Sequence, residues 1–369
     1  MEKTNNTLRI LAILVAALSF PLMLQAQTFS EKREQSRSFR VKPGTMVQIS
    51  NKYGNVNVIH WEKDSVRIEV SLSAQSKQAA KVVKILSSID CEMIATAGFI
   101  SARTVFNDNS ATFWKDVVST VGKVVNTSNN LQIHYTVYMP SDNPLKIENK
   151  FGNIYLDTRN SNTDITLSNG DLQARDFNAN LKLNLEFGSA SLQQAGDAQI
   201  NINYSDLYLQ KVSKLNLISR SSTLDIDEAA SIDIESVRDK LTLKSCTSFS
   251  GDASFSRIRV NELITVCSLS AKYGELKFNS IAKNFVTVYI KSEYTDVLLG
   301  ISPQASCSVD LIYDTKTILN IAPGINNVLK KETINPKYGT IKANGETGKS
   351  PSAQITVTAK AGSLSVLNK

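Results

Sequence analysis

Two nearly identical stretches decide the fold: NKYGNVNV at residues 51–58 and NKFGNIYL at residues 149–156. In both, a glycine follows an aromatic residue, and apolar residues then alternate with polar ones. Alternation with a period of two is typical of a β-strand with one buried face. Gly, Asn, Ser or Asp at such a turn suits a positive φ or a side-chain-to-backbone turn. The chain therefore repeats one local structure, a sharp turn followed by a half-buried strand.

The repeat continues along the chain with a short period. The turn position recurs every 17 or 18 residues, at Gly152, Gly170, Gly188, Ser205, Ser222, Asp239, Ser256 and Gly274. Later copies are less regularly spaced and include PKYGTIKA (336–343) and AKAGSLSV (359–366). No single unit can bury its apolar column, whereas units stacked about 4.8 Å apart join their columns into one core. We therefore predict an all-β, single-chain parallel β-helix, or β-solenoid, of roughly a dozen units.

An aromatic residue precedes the turn in many units. We call these residues the aromatic column: Tyr53, Phe151, Phe187, Tyr204, Phe255, Tyr273, Tyr294 and Tyr338. Stacked aromatic rings fit two interpretations. One is a ladder at a corner of the solenoid that packs on itself, and the other is a series of sugar-binding rings.

Four segments are predicted. Residues 1–26 are a signal peptide, because a basic start is followed by an apolar stretch and then by Leu24-Gln25-Ala26. Residues 27–58 hold an N-terminal segment and the first unit, residues 59–144 an α+β insert, and residues 145–369 the solenoid with a C-terminal cap at its end. No later segment is apolar enough to span a membrane. The expected location is the periplasm, the outer-membrane surface or the medium.

The insert is predicted to cap the N-terminal end of the stack. The end of a solenoid exposes unpaired backbone and invites edge-to-edge association, which a small folded unit prevents. Within the insert, residues 110–126 place Phe113, Val117, Val121 and Val124 at helical spacing, with Trp114 beside them. This segment is either a short helix packed on the cap or a mobile apolar element that docks a partner or a membrane surface.

Charge and cysteine content exclude several classes of protein. The net charge of +7 is mild for 369 residues and no basic run occurs, so we expect no nucleic-acid partner. The four cysteines show no metal-type spacing, and neither a metal nor a cofactor is expected. Buried thiols are the simplest interpretation. Cys246 and Cys267, about one repeat apart, are the best candidates for a disulfide.

The N-K-[YF]-G-N-[VI] phrases, the signal sequence, the strand–helix–strand insert and the TVYMP approach to the second phrase resemble a known family. They are similar to exported bacterial proteins of unknown function, abundant in Bacteroidetes and named "putative adhesins", with a β-solenoid domain. The resemblance covers nearly all of residues 40–345 and implies a right-handed solenoid. Its motifs are structural glycines and aromatics, so it implies no catalytic residue.

The sequence contains none of the usual catalytic motifs, such as a P-loop, GxSxG or HExxH. An enzyme that cleaves polysaccharides is an alternative based on Asp171 and Asp206, which lie two units apart, but both follow a turn where Asp is common. We expect a non-enzymatic protein of the cell envelope, an adhesin or binding scaffold. The candidate binding face is the outward column Tyr155, Tyr208, Arg259 and Lys277, facing a carbohydrate or an envelope protein. The other alternative is a structural or protein-interaction component with no carbohydrate ligand.

Overall fold

The computed structural model describes residues 28–107 and 130–368. Within those ranges the chain is almost entirely β-structure. Its 26 strands hydrogen-bond into one large sheet, and the described helices are two short α-helices and a single 3₁₀ turn. The prediction of an all-β protein is confirmed.

The central strands follow the repeat. They are β8 (Leu145–Lys150), β9 (Ile154–Leu156), β10 (Thr163–Ser168), β11 (Asp171–Phe177), β12 (Leu181–Glu186), β13 (Ser189–Asn203), β14 (Asp206–Arg220), β15 (Thr223–Val237), β16 (Lys240–Ser254), β17 (Arg257–Lys272), β18 (Glu275–Ile281), β19 (Thr287–Glu293) and β20 (Asp296–Ile301). Each of β13 to β16 pairs in parallel with the strand that follows it. Leu207, for example, lies opposite Leu224, which lies opposite Leu241. Pairing therefore advances by one repeat per strand.

The core is a set of apolar columns that run across these strands. Leu207, Leu224, Leu241 and Ile258 occupy equivalent positions, and each is at most 2% exposed. Along each strand, the residues that alternate with these buried ones point outward and are exposed or half-buried, as the alternation predicts. Burying a leucine or isoleucine side chain contributes about 1.5–3 kcal/mol, so every unit adds to the stability only when a neighbouring unit covers it.

The N-terminal part extends the stack with antiparallel strands. Its elements are β1 (Phe29–Arg40), β2 (Met46–Lys52), β3 (Val56–His60), β4 (Ser65–Ser76), α1 (Ala79–Ser87), β5 (Ile89–Ala95), β6 (Phe99–Phe106) and β7 (Leu131–Met139). Strand β7 pairs in parallel with β3 and antiparallel with β4, and β4 pairs antiparallel with β1. Strand β6 likewise pairs in parallel with β2 and antiparallel with β5. Strands β6 and β7, which lie between the two NK[YF]GN phrases, thus extend the parallel pairing of β2 and of β3 beyond the first unit.

A buried arginine fastens the start of the central stack to the preceding loop. Arg159 is 1% exposed and its guanidinium donates to the backbone oxygens of Pro140, at 3.1 Å, and Asn143. Burial lowers the pKa of Arg159 to about 10. Because a buried polar group is costly unless it is hydrogen-bonded, these two carbonyls hold the loop against the stack.

The C-terminal part departs from the predicted order. Its elements are β21 (Cys307–Tyr313), β22 (Thr317–Ile321), α2 (Pro323–Asn326), β23 (Lys330–Asn335), the 3₁₀ turn Pro336–Tyr338, β24 (Thr340–Thr347), β25 (Ala353–Lys360) and β26 (Gly362–Asn368). Strand β25 lies between β19 and β21, in parallel with both. Strand β26 lies in the same way between β20 and β22. Residues 353–368 are therefore inserted inside the stack.

Two predictions are wrong here. Residues 350–369 do not cap the stack, because β25 and β26 are covered on both sides. PKYGTIKA is not a unit either, since Tyr338 lies in the 3₁₀ turn and β24 runs antiparallel to β21 and β23. The phrase resembles the repeat, yet the positive φ falls on its glycine, Gly339 (φ 61°), rather than on the aromatic residue.

Candidate functional site

The predicted outward column forms a continuous row across the sheet. Tyr155 lies opposite Gln173, which is followed by Ser191 and then Tyr208. The two tyrosines are three strand spacings apart, about 14 Å, and the polar residues Gln173 and Ser191 lie between them. Arg259 and Lys277 occupy neighbouring strands, and Arg259 lies another three spacings beyond Tyr208. The column is therefore real, but its four predicted residues do not form a single cluster.

A groove of about 500 Å³ surrounds Tyr155. Its other side chains carry no recognisable motif in the sequence, because they are ordinary polar and charged groups on an exposed face. They include Asn57, Asp157, Gln173, Arg175, Ser191 and Gln193. The Tyr155 hydroxyl accepts a hydrogen bond from the Asn153 amide at 3.1 Å. The groove thus combines one half-buried aromatic ring with neutral hydrogen-bonding groups and one side chain of each charge.

Tyr208 lies at the other end of this row, next to Ser191. Its side chain is 45% exposed, and its hydroxyl donates to Asp227 Oδ2 at 3.3 Å. Asp227 in turn forms a 2.7 Å ion pair with Lys244. The hydrogen bond to Asp227 and the ion pair to Lys244 consequently hold the ring of Tyr208 at the surface. Tyr208 itself does not line the groove beside Tyr155.

The aromatic column lies along one row of the sheet, and its rings stack in groups of two or three. Parallel stacking joins Tyr53 to Phe151, Phe187 to Tyr204, Phe255 to Tyr273, and Tyr273 to Tyr294, with centroids 5.0–5.5 Å apart. Six of these seven rings are exposed by 44–60%. Each ring has at least one face covered by another ring, which agrees with the ladder interpretation. Tyr338 is not part of the column.

Positive φ falls on the column and, apart from Gly362 (φ 85°), not on the turn glycines. Tyr53, Phe151, Phe187, Tyr204, Phe255, Tyr273 and Tyr294 all have φ between 50° and 68°. In the units without a ring, the same position and a similar φ belong to Asn169, Ser221, Arg238 and Ala361. The sequence left two possibilities for the turn residues. The side-chain-to-backbone turn is found at Ser205, Ser222, Asp239 and Ser256, whereas the positive φ lies one residue earlier. The glycine is needed for a different reason, namely the close approach of the neighbouring unit.

The two carboxylates of the enzyme alternative differ in their surroundings. Asp171 Oδ1 accepts hydrogen bonds from the backbone N–H and the hydroxyl of Ser189, at 3.1 and 2.7 Å. Asp206 lies two strands further along the same row and is exposed. Asp171 therefore serves the turn of the next unit, which is the backbone role that Asp commonly has there.

The remaining titratable groups form no centre. In residues 28–107 and 130–368, no group of three or more His, Cys, Asp and Glu side chains could hold a metal ion. All four cysteines are buried free thiols, and burial raises the pKa of Cys246 to about 12. Cys267 pairs in register with Phe249, so the two candidate disulfide partners are not aligned. His134 is half-buried and accepts the N–H of Asn55 at its Nδ1.

Two predictions fall on residues that the structure does not describe. The segment with Phe113, Trp114, Val117 and Val121 lies outside the described residues, as does the predicted signal peptide. No helix in the described part of the chain has the length and apolar character needed to cross a membrane.

Comparison with known proteins gives only distant likenesses. No protein-family profile and no curated protein matches the chain. A "putative cell adhesion protein" from Clostridium sporogenes is 9% identical, with a TM-score of 0.18, and the match covers 91% of this chain and all of that one. A "putative lipid binding protein" and a "putative adhesin", both from Parabacteroides distasonis, are 11% and 13% identical with TM-scores of 0.24 and 0.27. Each of these two matches covers 73% of this chain and 93% of the other. TM-scores this low do not establish a common fold.

Proposed function

We propose that this protein is an exported, non-enzymatic component of the cell envelope, an adhesin-type scaffold that binds a polysaccharide along the flat face of a parallel β-solenoid. The solenoid is supported by the parallel pairing of β13 to β17 at one repeat per strand. Export is supported by the signal-like first 26 residues. The periplasm, the outer-membrane surface and the medium all fit this function.

The observation that carries the proposal is the row from Tyr155 to Tyr208. Two tyrosines bracket a floor formed by Gln173 and Ser191, and the groove beside Tyr155 adds Asn57 and Gln193. A tyrosine offers an apolar ring and a polar tip, which suits a sugar ring with its apolar face and hydroxyl edge. Neutral amides donate to and accept from hydroxyl groups without requiring a charged ligand. Asp157 and Arg175 also line the groove, and their opposite charges leave it without a net formal charge. The groove therefore favours a polysaccharide without net charge.

A polymer suits this surface better than a small ligand. The outward side chains repeat at the strand spacing of about 4.8 Å, so an extended chain lying across the strands meets a similar contact at each step. Each contact is weak, yet contacts along one chain add up because only the first pays the full cost of association. The absence of catalysis is part of the proposal, and it is supported by the use of Asp171 in the turn of the next unit.

The test is a binding screen of the purified protein against neutral and charged polysaccharides, with the substitutions Tyr155→Ala and Tyr208→Ala, singly and together. Covering a half-exposed tyrosine contributes about 1.5 kcal/mol. Each single substitution should therefore lower the affinity for the bound polysaccharide roughly tenfold, and the double substitution more.

Tyr289→Ala is the matched control. Tyr289 also points outward from a strand and is 44% exposed, but it lies in the other ladder of the stack. Its removal should leave binding unchanged. If the folded wild-type protein binds no polysaccharide, the result would favour binding of a protein partner instead. An equal loss in the Tyr289 variant would show that the Tyr155–Tyr208 row is not the binding face.

A further inference from the structure

The aromatic column is interrupted, and one interruption is wide. In spatial order its eleven positions are Tyr53, Phe151, Asn169, Phe187, Tyr204, Ser221, Arg238, Phe255, Tyr273, Tyr294 and Ala361. Two successive positions, Ser221 and Arg238, carry no ring. We call this interruption the ladder gap. Tyr204 and Phe255 border it three strand spacings apart, about 14 Å, so the gap has the width of two missing rings.

The rings that border the gap are the most exposed in the column. Tyr204 is 57% exposed and Phe255 is 60% exposed, whereas the other stacked rings lie at or below 52%. Phe255 stacks on Tyr273 with one face only. No aromatic ring of the described chain covers its other face, which is directed toward Arg238. A bare aromatic face at the surface favours a ligand that presents an apolar ring face.

A groove of about 580 Å³ opens at this gap. The part of the groove beside the gap is lined by Ser221, Thr223, Arg238, Lys240 and Phe255. Ser221 is small and leaves the floor open. Arg238 and Lys240 are exposed, and neither forms an ion pair within the described residues. Two free cations thus stand next to a bare ring.

The acidic side chains of the groove are already satisfied by the protein. Asp239 is 4% exposed and accepts from the N–H of Ser222 at 2.8 Å and from the hydroxyl of Ser236 at 2.7 Å. Glu275 forms a 2.9 Å ion pair with Arg257. The third acid, Asp296, accepts from the N–H and the hydroxyl of Ser363 at 3.1 and 2.7 Å. Asp239 keeps its charge but is buried, Glu275 is paired with Arg257, and Asp296 lies three strands away from Lys240. The exposed charged groups beside the gap itself are Arg238 and Lys240, and both are positive.

We propose that the ladder gap binds a polysaccharide whose sugar rings carry carboxylate groups. One sugar ring stacks on the bare face of Phe255 and occupies the ring position that Arg238 leaves empty. Its carboxylate accepts from the Arg238 guanidinium, which offers two parallel N–H donors, and from the Lys240 ammonium group. This site is separate from the Tyr155–Tyr208 row, whose groove has no net formal charge.

The test measures binding of polygalacturonate oligosaccharides to the purified protein by calorimetry, with neutral dextran oligosaccharides as a reference. Arg238→Tyr fills the position beside Phe255 with a ring, in a column whose backbone already accepts tyrosine at φ near 50°. Arg238→Gln keeps most of the length of the side chain and removes its charge. Phe255→Ala removes the bare ring. We expect Arg238→Tyr and Phe255→Ala to abolish binding and Arg238→Gln to weaken it roughly ten- to hundredfold.

Phe151→Ala is the control, because Phe151 has the same positive φ and the same kind of stacking but lies far from the gap. It should bind polygalacturonate as the wild type does, and so should the Tyr155→Ala/Tyr208→Ala variant, which separates this site from the neutral one. Affinity should also fall as salt increases. The proposal is overturned if the wild type does not bind polygalacturonate, if dextran binds equally well, or if Arg238→Tyr retains full affinity.

Discussion

A single residue at each corner carries the conformational cost of the repeat. The left-handed conformation costs an L-amino acid with a β-carbon about 1–2 kcal/mol, and eleven non-glycine residues of the described chain adopt it in the column. Stacking of two aromatic rings returns about 0.5–1.5 kcal/mol per pair. The aromatic residues recur at this position because the stacking of their rings offsets the strain of the positive φ. Glycine would have no such strain, but it has no ring to stack.

At the residue scale, sequence reasoning located this column but misjudged its conformation. The NKYGN and NKFGN phrases showed that an aromatic residue precedes each glycine. A general preference of glycine for positive φ then placed the strain one residue too late. The groove side chains Gln173, Ser191, Arg238 and Lys240 were not recognised as candidates either, since their importance depends on what lies beside them on other strands.

His134 should make the stability depend on pH. Burial and the charge of Lys32 lower its pKa below the ordinary value of 6.5, and its Nδ1 must remain unprotonated to accept the N–H of Asn55. The neutral form is thus favoured in the folded state. The stabilisation is complete above pH 6.5 and is lost as the pH falls from there toward the lower folded-state pKa.

We therefore expect the melting temperature of His134→Gln to fall less than that of the wild type between pH 7.5 and pH 5.5. His60, the only other histidine, is exposed, and His60→Gln should behave as the wild type does. Thermal denaturation at several pH values measures the difference. Parallel curves for the wild type and His134→Gln would contradict the assignment.

At the scale of the element, the turn is built in two ways. In the units up to Gly188, and again at Gly274, it is a glycine, and a β-carbon on Gly188 would lie only 1.9 Å from the carbonyl oxygen of Gly170. In the four units between them it is Ser205, Ser222, Asp239 or Ser256, and each side-chain oxygen accepts the turn N–H of the preceding unit. In the middle of the stack, hydrogen bonds between turn residues thus replace the glycines.

Gly188→Ala should destabilise the protein by about 3 kcal/mol, because the added methyl group collides with backbone that cannot move without displacing a whole unit. Gly196 lies on the same strand, and a β-carbon there would have its nearest neighbour at an ordinary 3.5 Å. Gly196→Ala should change the stability by less than about 0.5 kcal/mol. Urea denaturation of the two variants tests this, and an equal effect of both would refute the account of the turn.

The strands themselves were predictable because alternation is a local property. The units at the turn positions from Gly152 to Gly274 pair in the register that their spacing implies. The choice of neighbour was not predictable near the C-terminus. Apolar columns are alike from unit to unit, so alternation does not specify which strand β25 pairs with. Sequence order was the only guide, and it failed there.

At the scale of the whole molecule, the C-terminal strands should be among the most protected. Chain termini usually fray, but β25 and β26 are hydrogen-bonded on both sides by β19 and β21 and by β20 and β22. Hydrogen exchange should therefore be as slow in residues 353–368 as in β14 and β15. Strand β1, which among the described strands pairs only with β4, should exchange quickly. Rapid exchange of β25 would contradict its internal position.

The inserted strand pair also has a consequence for biogenesis. A ribosome makes a polypeptide starting from its N-terminus, so β25 and β26 are synthesised after all four strands between which they lie. Until then no strand joins β19 to β21 or β20 to β22. A stop codon or a proteolytic cut before residue 353 would therefore remove an inner layer of the stack rather than its edge. The integrity of the stack thus depends on residues 353–368, which the ribosome adds only after the strands on both sides of them.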